Sequence, residues 1–219
     1  DSLAADLSAA HGVTVTAIAG DLADPKTPER LCKQIDSKKI HIDMLVNNAG
    51  FGGDKPFLKT PWQQLNSELQ LMVTAVTELI YRLAPAMVDK GWGRVINVAS
   101  VAGYAPIMNG LLYSGTKSYL VNVSQALDME MRGKGVFLTA LCPGLTETEF
   151  FDVQGTRGLV NKMPSLVKQS ADEVALQGYN AVMSGKPVCV PGAVNKSMVA
   201  FSRLMPERLR YQIGKYNKY

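Results

Sequence analysis

The stretch that most constrains the fold is an apolar run that ends at a polar residue and leads into a helix-forming segment. Residues 95–98 are of the kind that form a buried strand, and Ser100 follows at the C-terminal end of that strand. Ser100 therefore lies where open α/β sheets bind ligands. Tyr113 comes thirteen residues later and opens the helical segment, with Lys117 four positions further on. On a helix these two side chains share one face.

These three residue types together can reduce a carbonyl or oxidise an alcohol. A tyrosine hydroxyl has an ordinary pKa of about 10, too high for efficient proton transfer near neutrality. An ammonium about 5 Å away should favour the phenolate by roughly 3 kcal/mol, or about 2 pKa units. Tyr113 can then act as an acid or base while Ser100 holds the substrate oxygen. An isolated Tyr-x-x-x-Lys pair recurs by accident, and its common alternative is an amphipathic-helix tyrosine beside a solvated lysine.

The pair is accompanied by further motifs at the ends of other apolar runs. They are Gly20-Asp21-Leu22, Asn47-Asn48-Ala49-Gly50, and Pro143-Gly144 followed by Thr148. In their order and spacing the motifs resemble those of the short-chain dehydrogenases/reductases, over most of the chain. The C-terminal helices resemble a branch that includes ketoacyl and hydroxysteroid reductases. The resemblance implies one Rossmann-type domain over residues 1–219, with an α/β fold and a doubly wound, mainly parallel sheet. It also implies an enzyme that interconverts a ketone or aldehyde with an alcohol.

The resemblance also implies roles for individual residues. Tyr113 is the expected acid/base, Lys117 lowers its pKa and binds the cofactor ribose, and Ser100 orients the substrate oxygen. The implied cofactor contacts are Asp21, Leu22, Asn48, Ala49, Gly50, Tyr113, Lys117, Pro143, Gly144, Leu145 and Thr148. NADP is the expected cofactor because this branch usually uses it. NAD stays open, since the charges that decide between the two follow the family's second strand, which these residues do not include.

The chain begins at Asp1, inside a helical pattern that stops at Gly12. It contains no glycine-rich turn that would place a helix N-terminus against a pyrophosphate. The glycines of residues 50–53 follow a later strand and precede no immediate helix, so we interpret them as a loop near the site. The resemblance therefore implies that the first strand–helix–strand portion lies outside these residues. A 23.7 kDa polypeptide without that portion would be expected to be inactive, to fold incompletely or to fold only as an oligomer.

The main departure from the family pattern falls in the long helix predicted over residues 61–90. An asparagine commonly lies there and holds a water that relays protons from the lysine, and Met72 takes its position. A thioether cannot donate a hydrogen bond, so the relay must be replaced or weakened. Two interpretations stay open: an enzyme that works without the asparagine, and a cofactor-binding scaffold or sensor with impaired turnover.

The charge of the chain is unevenly distributed. The net charge is +4, yet residues 195–219 hold six basic residues and one acid. A basic surface for nucleic acid is therefore absent from the rest of the chain. The basic tail, predicted as two amphipathic helices over residues 193–204 and 206–216, could lie on anionic lipid or on another subunit, although a solvated helix face is the commoner explanation.

Cysteine and histidine content argues against disulfide and metal sites. Three widely spaced cysteines and two histidines, His11 and His41, form no disulfide framework and no metal-ligand pattern. No apolar run approaches the eighteen or so residues of a membrane span, and no signal peptide is recognisable. We therefore expect a cytoplasmic protein. A homodimer or homotetramer built from the two long helices is expected by analogy with the family.

The remaining segments yield coarser predictions. Residues 150–165 are typical of a lid over an apolar substrate, with a loop packed on its own domain as the alternative. The apolar residues that suggest this are Phe150, Phe151, Val153, Leu159, Val160 and Met163. We also predict a strand over residues 13–19, a helix over 24–37 capped by Asp24, a bend or end at Pro85, and a helix capped at Ser170.

Overall fold

The computed structural model of the chain describes residues 2–52, 55–105, 111–148 and 168–216. Its strands are β1 (Met44–Asn47), β2 (Gly93–Val98), β3 (Val136–Leu141), β4 (Leu145–Glu147), β5 (Lys168–Ser170) and β6 (Val188–Cys189). Its α-helices are α1 (Ser2–His11), α2 (Thr27–Ser37), α3 (Trp62–Leu69), α4 (Ala75–Lys90), α5 (Leu111–Met131), α6 (Ala171–Met183), α7 (Ala193–Leu204) and α8 (Glu207–Tyr216). Short 3-10 turns span Phe57–Lys59, Val101–Tyr104 and Arg132–Lys134, and a π turn spans Gln70–Thr74.

Four parallel strands form the central sheet in the order β1–β2–β3–β6, and β4 pairs with β5 separately. Alternate residues of β2 and β3 point to opposite faces. Val95 and Leu138 pack with α4 and α5 on one face, whereas Ile96 and Leu141 pack with α6 on the other. Since helices cover both faces, the predicted doubly wound, mainly parallel α/β fold is confirmed.

A chain of buried polar contacts joins β1, β2 and α5. The Asn47 amide donates to Asn97 Oδ1 at 2.8 Å, and the Asn97 amide donates to Ser124 Oγ at 2.9 Å. Asn97 and Ser124 are fully buried, so each polar atom depends on these partners. The contacts select one register of the strands and one position of α5 along the sheet.

The prediction of a strand over residues 13–19 is wrong for the described residues. The segment is largely exposed and pairs with no strand. A strand shares its backbone hydrogen bonds with a neighbouring strand. In the described part of the chain residues 13–19 make no such pairing with β1, which ends the sheet and whose Val46 is half exposed.

Two helix boundaries differ from the predictions. The helix expected at residue 24 begins at Thr27, because Asp24 Oδ1 accepts the Lys26 N–H in a turn ahead of it. Helix α4 runs past Pro85 to Lys90 and ends at Gly91, whose φ is +70°. Pro85 and Tyr81 lie on the exposed side of α4, so the carbonyl that proline leaves unpaired is open to water. The helix capped at Ser170 is confirmed, since Ser170 Oγ accepts the Glu173 N–H at 3.2 Å.

The stretch Trp62–Lys90 is long and apolar enough to cross a membrane by length and composition, which the sequence analysis did not anticipate. Almost half of its apolar window is buried inside the fold. The buried side includes Val76, Ile80, Ala84 and Met87, which pack against the sheet. We therefore assign it to the core.

Gly135, between the last 3-10 turn and β3, offers a stability test. Its φ is +83°, and a Cβ there would overlap the carbonyl oxygen of Gly91. We expect Gly135→Ala to lower the free energy of unfolding by about 3 kcal/mol, because left-handed strain adds to a backbone clash. Gly133→Ala, in the same turn with open space around it, should change it by less than about 0.5 kcal/mol. Urea unfolding of both variants measures the difference, and equal effects would contradict this explanation.

Candidate active site

Ser100, Tyr113 and Lys117 come together at the C-terminal end of β2. Ser100 lies two residues after the strand, and Tyr113 and Lys117 lie on successive turns at the start of α5. The side chains of Ser100 and Tyr113 are hydrogen-bonded. Lys117 Nζ lies 5.4 Å from the centre of the Tyr113 ring. The structure thus assembles the three residues that the sequence singled out.

The Ser100 hydroxyl is held by the turn that follows it. Ser100 Oγ accepts the Ala102 N–H at 3.1 Å and caps the 3-10 turn Val101–Tyr104. The Val101 N–H donates to the Pro143 carbonyl at 2.9 Å, which ties this turn to the end of β3. A hydroxyl has one donor and two acceptor positions, so the cap leaves capacity for a further partner.

Lys117 is a buried cation. It is 5% exposed, and its ammonium donates to the Val98 carbonyl at 2.7 Å. Burial lowers the pKa of Lys117 to about 8. The side chain therefore stays mainly charged at neutral pH, at a cost in desolvation.

The expected lowering of the Tyr113 pKa by Lys117 is not what the structure supports. Burial raises the pKa of Tyr113 above its ordinary value, and the hydrogen bond with Ser100 lowers it by less. The Lys117 ammonium is directed to the Val98 carbonyl, while desolvation disfavours the phenolate. Tyr113 is consequently a neutral phenol at neutral pH.

Met72 lies beside the lysine. It is 1% exposed, it sits in the π turn Gln70–Thr74, and its sulfur is 3.9 Å from Thr116 Oγ1. A Cβ at Gly50 would lie 3.4 Å from Met72 Sδ and 3.6 Å from Lys117 Nζ. The thioether therefore occupies the space next to the ammonium, where a hydrogen-bonding side chain was expected from the family pattern.

The small residues expected to contact the cofactor lie at the ends of neighbouring parallel strands. Asn48 and Ala49 are exposed just beyond β1, and Gly50 is half-buried. Pro143 and Gly144 follow β3, and Leu145 and Thr148 lie within and just after β4. These segments lie on both sides of the Ser100 turn, at the edge where open α/β sheets bind ligands. Their predicted contact with the cofactor stays a prediction.

Asp21 and Leu22 lie elsewhere, in the turn that precedes α2. Asp21 Oδ1 accepts the Ala23 N–H at 2.9 Å, so its carboxylate has a structural partner in this turn. Leu22 lines a small cavity of about 110 Å³ together with Thr27 and Arg30 of α2. Their predicted contact with the cofactor stays a prediction.

Gly103 and Tyr104, which the sequence did not connect with the site, pack in the turn that follows Ser100. A Cβ at Gly103 would lie 2.9 Å from the backbone of Lys117, so only glycine lets the 3-10 turn rest on α5. Tyr104 Oη lies 3.8 Å from the sulfur of Cys142, which is fully buried. Burial raises the pKa of Tyr104 and raises that of the Cys142 thiol to about 11. Both groups are thus neutral packing residues.

A groove of about 670 Å³ lies between the Val101–Tyr104 turn, α5 and α8. Its lining includes Ser114, Ser118, Arg210 and Tyr211. None of Ser100, Tyr113 and Lys117 lines it, so it is separate from the candidate active site.

Two further predictions concern the lid and metal binding. The lid over residues 150–165, with its six apolar residues, lies outside the described residues. Within the described ranges, no three His, Cys, Asp or Glu side chains are close enough to hold a metal ion.

Comparison with known proteins gives consistent matches. A family model described as short chain dehydrogenase matches residues 1–157. The chain is 28% identical to the probable oxidoreductase EphD of Mycobacterium bovis, over 94% of this chain and 37% of that protein. It is 31% identical to a serine 3-dehydrogenase of Agrobacterium fabrum, over 92% of this chain and 82% of that protein. A solved short-chain dehydrogenase from Sphingobium yanoikuyae in complex with NADPH is 26% identical, with a TM-score of 0.78, over 94% and 82% of the two chains. The chain thus spans little more than a third of the Mycobacterium relative.

Proposed function

The chain belongs to the short-chain dehydrogenase family, and on that premise we propose that it transfers a hydride between a nicotinamide cofactor and a carbonyl compound or the corresponding alcohol. One observation carries the proposal. The Ser100 hydroxyl, the Tyr113 phenol and the Lys117 ammonium converge at the C-terminal end of β2. A proton donor, a hydrogen-bond donor and a buried cation are the groups that carbonyl reduction requires.

In the reducing direction each group has one task. Tyr113 gives its phenolic proton to the substrate oxygen, and Ser100 donates a hydrogen bond to the same oxygen. The Lys117 ammonium, 5.4 Å from the centre of the Tyr113 ring, offsets part of the cost of the buried negative charge that remains on Tyr113, although burial still keeps the pKa of the phenol above its ordinary value. The reduced cofactor, when bound, supplies the hydride. In the oxidising direction Tyr113 takes the proton back from the alcohol.

The cofactor would be held by the segments that follow β1 and β3, by the turn that precedes α2, and by Tyr113 and Lys117. We assign this role to Asp21, Leu22, Asn48, Ala49, Gly50, Tyr113, Lys117, Pro143, Gly144, Leu145 and Thr148. NADP is the preferred cofactor, and support comes from the NADPH complex of the Sphingobium relative. NAD is the alternative.

Substrate and assembly belong to the same proposal. An apolar ketone or aldehyde is supported by the composition of residues 150–164. A homodimer or homotetramer is supported by the exposed sides of α4 and α5, where Tyr81 and Met129 are 79% and 75% exposed. Apolar residues this exposed are common at interfaces between subunits.

The test is direct. The full-length protein is mixed with NADPH and a panel of ketones and aldehydes, and NADPH consumption is compared with alcohol formed. Equal amounts of both support the proposal. Binding of NADPH without consumption across the panel would refute it and favour a second candidate, a cofactor-binding scaffold or sensor.

Met72 is the observation that favours this second candidate, and its replacement separates the two. If the chain is an active reductase, Met72→Asn should not raise turnover, because a new amide beside Thr116 and Lys117 would be buried in a space shaped for a thioether. A gain of about tenfold or more would indicate that a missing proton relay limits the reaction. Met72→Leu is the matched control, since it fills the same space without a hydrogen-bonding group. Steady-state turnover of the three proteins decides.

A further inference from the structure

Helix α7, in the C-terminal tail, contacts both turns that border the candidate active site. Near its N-terminal end Asn195 lies against Gly144, in the turn after β3. Near its C-terminal end Ser202 Oγ donates to the Tyr104 carbonyl at 3.0 Å, and the Arg203 guanidinium lies 4.8 Å from the centre of the Tyr104 ring. One helix therefore joins the turn after β3 to the turn that follows Ser100.

Asn195 makes the first of these contacts with a side-chain amide whose nitrogen donates two hydrogen bonds. The residue is 6% exposed, and its Nδ2 donates to the Pro191 carbonyl at 2.9 Å and to Gln169 Oε1 at 3.0 Å. A Cβ at Gly144 would overlap Asn195 Oδ1 and lie 2.6 Å from Nδ2. A buried amide is costly unless it is hydrogen-bonded, and here it connects the turn after β3, strand β5 and the turn before α7.

The turn after β3 is in direct contact with Ser100 and its neighbour Val101, so a displacement of this turn would also move Ser100. The Pro143 carbonyl accepts the Val101 N–H at 2.9 Å and lies 3.5 Å from Ser100 Oγ. Gly144 itself is followed directly by β4, which pairs with β5 through Leu145 and Lys168. A shift of the Asn195 amide would thus move the Pro143–Gly144 turn, which lies on the side of the cleft where the nicotinamide is expected.

We propose that Asn195 is a positioning residue that holds the Pro143–Gly144 turn against the cofactor cleft, so that α7 is part of the active-site architecture. This inference rests on the proposed function. It predicts that a nearly isosteric loss of the amide donors weakens cofactor binding and loosens the turn, and that the rest of the sheet is unaffected.

Asn195→Asp is the informative variant, because it keeps the shape of the side chain and removes both donors to Pro191 and Gln169. We expect its Kd for NADPH, from fluorescence titration, and its KM for NADPH to rise by about tenfold. Gln169→Glu keeps an acceptor for the Asn195 amide and should change both values by less than about threefold. Lys196→Ala, on the exposed side of α7, is the matched control.

Amide hydrogen exchange of the cofactor-free protein supplies an independent readout. Asn195→Asp should speed exchange by about tenfold in residues 145–147, while residues 136–141 of β3 should exchange as in the wild type. A variant that melts earlier but shows wild-type NADPH affinity and wild-type exchange in residues 145–147 would overturn the inference. If the wild-type protein neither binds nor consumes NADPH, the proposed function fails. The exchange of residues 145–147 then still decides whether Asn195 holds the turn.

Discussion

Tyr113→Phe should lower carbonyl turnover by about 10²- to 10⁴-fold, which is the contribution of a positioned acid or base. The phenol is the proton donor that the site offers, and burial raises its pKa, so it is protonated at neutral pH. Phenylalanine keeps the ring and its packing but has no proton to give. The affinity for NADPH should change by less than about threefold, because the lost group acts on the substrate oxygen.

A matched control lies on the same helix. Tyr119 is two turns along α5, and its hydroxyl lies 2.7 Å from Thr77 Oγ1, away from the candidate site. Tyr119→Phe should therefore leave turnover within about twofold of the wild type. Steady-state rates with a substrate from the panel test both variants. Wild-type turnover by Tyr113→Phe would contradict the assigned role.

Lys117→Met should have two effects, one on turnover and one on the pH dependence of stability. Turnover should fall by about 10²-fold, because the phenolate left on Tyr113 loses its nearby cation. The effect on stability follows from the pKa of Lys117, which is about 8 in the folded protein against an ordinary 10.5. Below pH 8 Lys117 is protonated in both the folded and the unfolded protein. The cost of burying its charge therefore lowers the stability by its full amount and does not change with pH.

Between pH 8 and 10.5 the unfolded chain holds the proton that the folded protein has released, so stability rises with pH. A shift from 10.5 to about 8 amounts to about 3 kcal/mol over this window. Above pH 10.5 Lys117 is deprotonated in both states, so it no longer makes the stability depend on pH. Lys117→Met should remove this rise, whereas Lys134→Met, at an exposed position, should keep it. Urea unfolding of the three proteins at a series of pH values measures the difference, and parallel curves for the wild type and Lys117→Met would show that the ammonium is not buried as described.

The features that the sequence predicted correctly are those encoded within one strand–helix unit. Ser100 follows an apolar run that forms β2, and Tyr113 and Lys117 are four residues apart on a helix, so local geometry places each on its element and puts the tyrosine and the lysine on one helix face. Packing of α5 against β2 then brings Ser100 to them. The cap at Ser170 is equally local, because a side chain three residues from an N–H can reach it without help from the rest of the fold.

Properties that depend on distant neighbours could not be read in this way. Residues 13–19 have the composition of a strand, but composition does not supply the pairing partner that makes a strand, and no described strand pairs with them. The Tyr113 pKa moves opposite to the expected direction, because the burial created by all surrounding elements raises it by more than the hydrogen bond with Ser100 lowers it. The contact of Asn195 with Gly144 joins segments far apart in the chain, and no periodicity records it. The sequence by itself thus determined which chemical groups the site contains, through short-range spacing. Only the tertiary structure decided their ionisation and support, since desolvation and long-range packing arise only when the whole chain is folded.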